Sequence, residues 1–220
     1  MRCTPVRYTP MRWTPVRYTP MWEHDIVRGL LWRRGRSLHP ATYQSMVKPP
    51  GYRAPPWSWA ALDGAVNFKW GGVMLPPDDY SKSCQLSLIA TVVRVEATTV
   101  GLNPLGEVKD GFLCVRVPIK RAKVLPTLQP VRPPHIPILE MDPLVPFNGG
   151  EDAPVVAEAS FDVDGDRTET VWCIQLVQQQ GLVLKCIVDE EPRAFRRIGF
   201  FNLCDLTWFD RQVHEDIRII

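Results

Sequence analysis

Hydrophobic and polar positions change their period twice along this chain, and the changes divide it. Residues 1–20 have no hydrophobic period; proline recurs every fifth position through Thr4-Pro5, Thr9-Pro10, Thr14-Pro15 and Thr19-Pro20. Proline at that spacing removes the amide donors a helix needs, so a low-complexity, disordered arm is predicted. Then a helical period appears: Trp22, Ile26, Val27, Leu30 and Leu31 share one face, Thr19 can cap it, Pro20 suits its first position, and Arg33 and Arg34 precede Gly35. One N-terminal helix, lying as a lid on an apolar surface, is the expectation. Beyond it, Gly35, Pro40, Pro49, Pro50, Gly51, Pro55 and Pro56 interrupt any regular structure. Residues 21–84 therefore read as a helix and a Trp-rich connecting segment packed on the core.

From Gln85 the period becomes two, the mark of strands. Leu86, Leu88, Ala90 and Val92 alternate, then the phase shifts to Val93, Val95 and Ala97, as one extra residue in a β-bulge would produce. Leu113, Val115, Val117 and Ile119 repeat the pattern, with Pro118 implying an edge or a break. Ala157, Ala159, Phe161 and Val163 alternate before the Asp164-Gly165 turn, after which 170–177 reads as the returning strand of a hairpin. Segments 182–188, 195–203 and 217–220 bring the total to about seven strands. Seven prolines between Leu125 and Gly150 predict a long irregular insertion there. The fold class is mostly β, an antiparallel barrel or sandwich occupying 85–220.

Charge and cysteine usage sharpen this only a little. Residues 1–40 hold eight arginines against Glu23 and Asp25, a net +6, so the remainder carries −4 of the chain's +2. Only the arm could draw a polyanion, and its Arg-Trp and Arg-Tyr alternation leaves nucleic-acid stacking as a minor alternative. Cys3, Cys84, Cys114, Cys173, Cys186 and Cys204 form no CxxC pair, and several sit in apolar runs, as buried reduced thiols of an intracellular protein would. No apolar run approaches the ~18–20 residues a membrane span requires. A cytoplasmic location without membrane contact is expected.

Candidate chemistry is sparse. Asp162-Val163-Asp164-Gly165-Asp166 has the look of a calcium loop, but glycine is fourth and Cys173 occupies the twelfth position, where an EF-hand needs a bidentate acid. His24, His39, His135 and His214 show no metal-ligand spacing. With no nucleophile elbow, phosphate loop or dinucleotide fingerprint, the expectation is a non-enzyme with no catalytic, cofactor or metal residues. There remains Tyr52 to Gly64, where Pro55, Trp57, Ser58, Trp59, Asp63 and Gly64 form a structural signature. Two indoles at spacing two share a face if the segment is extended, and burying each is worth a few kcal/mol, so a core anchor is favoured over an exposed recognition platform.

Those residues carry a resemblance. Arg53-Ala54-Pro55-Pro56-Trp57-Ser58-Trp59-Ala60-Ala61-Leu62-Asp63-Gly64 resembles the APSWSWASVDG stretch found downstream of the heterokaryon incompatibility (HET) domain of filamentous-fungal proteins. Met21-Trp22-Glu23-His24-Asp25 with Leu30-Leu31-Trp32 is similar to the helix preceding it there. Asp110-Gly111-Phe112-Leu113, Trp172-Cys173-Ile174-Gln175-Leu176, Arg196-Arg197-Ile198-Gly199-Phe200-Phe201 and Trp208-Phe209 come in the family's order, so the likeness spans 21–220. Pro56 and Ala61 stand where the family carries serines. The resemblance implies a non-enzymatic module of nonself recognition and incompatibility-triggered programmed cell death. It implies, too, a truncated relative, a split-gene product or a gene model missing its first exons, with the repeat standing where the HET domain would be. By analogy it would bind a protein partner, with the Pro-rich loop 125–150 as the contact. A carbohydrate-binding or hydrolytic β protein, using exposed aromatics and the Asp162–Asp166 acids, is the alternative from another class.

Overall fold

The computed structural model describes residues 26–27, 29–35, 46–67, 87–100, 108–125, 141–150, 152–188 and 193–220. The repeat arm and the start of the expected helix lie outside them. Within them Ile26, Val27 and Gly29 are helical, and the Leu30 amide donates to the Ile26 carbonyl at 2.9 Å. The helical path stops there: Leu30 and Leu31 turn, and Arg33–Arg34 is already extended as strand β1, paired antiparallel with β2 at Val66–Asn67. No longer α-helix occurs among the described residues. The helix expected to reach Arg34 is thereby corrected at its end: Arg33 and Arg34 find backbone partners in another strand instead of their own preceding turn.

The rest is β, as the alternation predicts. Strands β3 (Thr91–Thr99), β4 (Val108–Val124), β5 (Asp142–Pro146), β6 (Ala157–Phe161), β7 (Thr170–Val177), β8 (Gln180–Val188), β9 (Ala194–Leu203) and β10 (His214–Ile219) form one eight-stranded sheet. Its order is β10-β4-β5-β6-β9-β8-β7, with β3 also on β4. All pairings are antiparallel except a two-residue parallel contact between β10 and β9. β7 comes round to the second edge of β4, yet β4 and β5 share only three residue pairs and β9 and β10 only two. The mostly β, antiparallel expectation holds, but of the expected barrel or sandwich no barrel closes along its length.

Three local readings also change. β5 forms inside the stretch expected to be irregular; it is short, and the Pro143 carbonyl still accepts from the Leu125 amide at 2.9 Å. Pro118 neither ends nor edges its strand, because it falls where the neighbour on one side of β4 changes from β3 to β7. β6 and β7 are no hairpin: β6 lies between β5 and β9, while β7 lies between β4 and β8. Where the apolar phase slips after Val92, the register of β3 against β4 slips too, between Val92 and Arg94.

Both faces of the sheet are covered. On one, Leu113, Val115, Val117 and Ile119 of β4 pack with Leu182, Leu184, Phe195 and Phe200, under Ile26, Val27, Leu30, Leu31 and Trp57. On the other, Ala122, Val171, Val183, Ile198 and Phe201 lie under Trp208 and Phe209, whose rings are 4.8 Å apart. A strand with both sides buried reads as a continuous apolar run, which is how Leu182-Val183-Leu184 reads. The N-terminal segment is therefore the cover of one core, and the contacts that hold it there define the site.

Candidate functional site

Residues 46–67 return to the sheet through the signature, and each of its members has a mechanical task. Pro55 is buried against Gly111, where an added Cβ would come within 2.7 Å of the proline ring. The chain then turns instead of staying extended, so the two indoles part company. Trp57 enters the first core at 7% exposure, whereas Trp59 begins a single 3-10 turn, Trp59–Ala61, and is half-buried. Ser58 caps that turn, its Oγ accepting from the Ala60 amide at 3.2 Å. Asp63 exchanges two backbone hydrogen bonds with Val47 at 2.8 and 2.9 Å. Gly64 has φ +149°, and a Cβ there would meet the Met46 side chain at 2.9 Å, so both backbone and space demand glycine.

Arg53 holds this turn shut. Its guanidinium donates to the Ala60 carbonyl at 2.7 Å, the Leu62 carbonyl at 2.8 Å and the Asp63 carboxylate at 2.7 Å. A planar fork with several fixed donors suits three acceptors on one tight turn, which a lysine could not serve together. In the sequence Arg53 stands out only through its likeness; the overlooked signal is its place ten residues before an aspartate across a Pro-Pro stiffened loop.

The deepest constellation lies outside the sequence expectations. Arg197 of β9 is buried, at 3% exposure, and pairs with Asp162 through Nε at 2.9 Å and a second nitrogen at 3.2 Å. The same guanidinium donates to the Leu30 carbonyl at 2.5 Å and the Trp32 carbonyl at 2.6 Å, and lies 3.3 Å from the centre of the Trp32 ring. Trp32 is fully buried, and its indole N–H donates to the Trp57 carbonyl at 3.2 Å. One cation thus ties the turn at 30–32 to the sheet, and one indole ties that turn to the signature. Burial raises the Asp162 pKa and lowers that of Arg197, each effect opposed by the partner's charge. Taking both charges out of water makes such a pair a device of position more than of net stability.

The Asp162–Asp166 acids are each met by a base. Asp162 faces Arg197, Asp164 faces Arg34 of β1 at 2.6 Å, and Asp166 faces Lys48 at 2.6 Å. Three carboxylates that resemble a calcium loop in sequence form, in space, one side of an ionic seam along the N-terminal segment. Among the described residues no group of three or more His, Cys, Asp or Glu is placed to hold a metal ion. His214 is exposed at the start of β10; His24, His39 and His135 lie outside the described residues.

Beside the seam opens a cleft of about 360 Å³ between the 48–62 loop and the end of the sheet. Lys48, Tyr52, Arg53, Asp166 and Arg196 give it polar groups, and Pro49, Pro50, Pro56 and Leu62 give it rigid apolar walls. Burial, and after it the charge of Asp110, pushes the Tyr52 phenol up to about 12. The thiols divide as well: Cys173 is buried and pushed far up by desolvation, Cys114 and Cys186 are half-buried, and Cys204 is exposed where burial was expected. None of the four is in a disulfide, and Cys3 and Cys84 lie outside the described residues. No helix is long and apolar enough to cross a membrane among the described residues.

Comparison of this chain with protein-family models, with curated proteins and with solved structures finds no match.

Proposed function

We propose that the chain is a non-enzymatic accessory or regulatory module, similar to the region that lies downstream of the HET domain in fungal nonself-recognition proteins. It acts by binding or restraining a protein partner in the cytoplasm. The observation that supports this is how its reactive-looking side chains are occupied. Ser58 caps a turn, and Asp162, Asp164 and Asp166 each face a cation from the N-terminal segment or β9. Those groups hold one part of the chain against another, which is the work of a scaffold. The same residues that carry the resemblance, Arg53 to Gly64, form a single clasp, so a family defined by them would be defined by this packing. The proposed contact is the Pro-rich stretch 125–150, of which 126–140 lie outside the described residues. Burial of Trp57 disfavours the carbohydrate reading, which needs its indole as an open platform.

Expression of the chain in a filamentous-fungal host tests the reading. Normal growth is expected at high expression, together with capture of a discrete protein by the full chain that is lost when residues 126–140 are replaced by a Gly/Ser linker of equal length. Cell death caused by the chain alone would overturn the inert-module reading. Unchanged capture after the replacement would overturn the contact.

A further inference from the structure

Among the described residues four cations line the cleft, and three of them are committed. Arg53 serves its turn and Asp63, Arg197 serves Asp162 and two carbonyls, and Lys48 serves Asp166. Arg196 is the exception. Its nearest carboxylate oxygen, on Asp166, is 4.0 Å away and already accepts from Lys48 at 2.6 Å. Its Nε is buried with no acceptor among the described residues. That buried Nε–H is uncompensated, while the side chain as a whole is 35% exposed and lines the cleft, so the rest of the guanidinium is open to an incoming anion. The wall's charges otherwise cancel in pairs, so the positive charge of Arg196 stands over.

We propose that this cleft binds a small ligand bearing a phosphate or carboxylate on a flat apolar body, with Arg196 taking the anion. The guanidinium fork matches the paired oxygens of either group. Pro49, Pro50 and Pro56 fix the opposing wall before binding, and a preformed wall lowers the ordering cost of association. The Tyr52 ring and Leu62 supply the apolar surface for the body, and about 360 Å³ is enough for one aromatic ring with its anion. Lys48, half-exposed, tunes the site indirectly: while it holds Asp166, that carboxylate does not compete for Arg196. The proposal goes beyond the scaffold reading and does not depend on it.

Calorimetric titration of the full chain with phenyl phosphate, benzoate and inorganic phosphate tests it. Saturable binding of phenyl phosphate is expected, at least tenfold tighter than inorganic phosphate and weakened by added salt. Arg196→Gln weakens phenyl phosphate at least tenfold with an unchanged circular dichroism spectrum, and Arg196→Lys recovers part of the loss. Lys48→Gln, an exposed change that leaves folding intact, weakens it about threefold by freeing Asp166. Arg116→Gln, on the exposed pair with Asp216, leaves it unchanged. No saturable binding up to millimolar phenyl phosphate, equal affinity for inorganic phosphate, or wild-type affinity in both Arg196→Gln and Lys48→Gln would each overturn the proposal. None of these outcomes touches the growth and capture results on which the scaffold reading stands.

Discussion

The sheet and the segment that covers it are stabilised in opposite ways. In the sheet, β4, β7, β8 and β9 share long backbone ladders and bury side chains on both faces, so the energy is spread over many similar contacts. Among the described residues of 26–67 regular structure is limited to one helical turn, one 3-10 turn and two short strands; the attachment is concentrated in Arg197, Trp32 and Trp57, with Arg53 closing the turn between them and Gly64. A distributed structure tolerates the loss of any one contact. A concentrated one fails at a single residue.

The largest test of this contrast is Arg197→Ala. It leaves Asp162 as a buried charge and strips donors from two carbonyls, for which a loss of about 3–5 kcal/mol is expected in urea unfolding. Amide exchange should then quicken across residues 26–67 while β8 stays protected; uniform quickening would dissolve the distinction between the two regions. Asp162→Leu combined with Arg197→Met should recover part of the loss, since it removes both charges together.

Next come the two indoles. Trp32→Phe orphans the Trp57 carbonyl and is expected to cost about 1–3 kcal/mol. Trp57→Phe should cost less, because the Trp57 indole N–H is buried with no acceptor among the described residues. Equal losses would show that shape alone, and not the hydrogen bond between the two segments, does the holding. Gly64→Ala, forced into a positive φ against Met46, should cost on the order of 1–2 kcal/mol by the same measurement, and no loss would mean the loop shifts freely.

The smallest effect lies on the sheet side, in the turn after β9. The Thr207 hydroxyl and amide hold the exposed Asp205 carboxyl below its usual range. Its folded pKa is depressed, so its contribution is present above the unfolded value and disappears as pH falls through the folded one. Melting temperatures of the wild type and Thr207→Val should therefore differ above about pH 4 and converge in stronger acid. A difference that persists in strong acid would point to lost packing instead.

Legibility in the sequence divides along the same line. Period two announced most of the strands, and the phase slip at Val92 and Val93 announced the irregularity in β3, because side-chain alternation is a local property. β5 hid behind its prolines. The separation of β6 from β7 hid because a seven-residue stretch after Phe161–Asp162 is long enough to cross to another neighbour. The clasp was illegible for a different reason: Arg197 lies 165 residues from the Trp32 carbonyl it serves, and no local pattern links them. One clue was present, since Arg197 shares the strand phase of Phe195, and a charge in an inward phase asks for a buried partner.

That separation also sets an order of events during synthesis. Ile26, Val27, Leu30, Leu31 and Trp32 leave the ribosome long before the residue that fastens them. At about 5–20 residues per second, the wait for Arg197 is roughly 8–30 s. For that interval a cluster of apolar side chains has no sheet to cover, and the nascent chain is at its most exposed to chaperones and to its own neighbours on the same message.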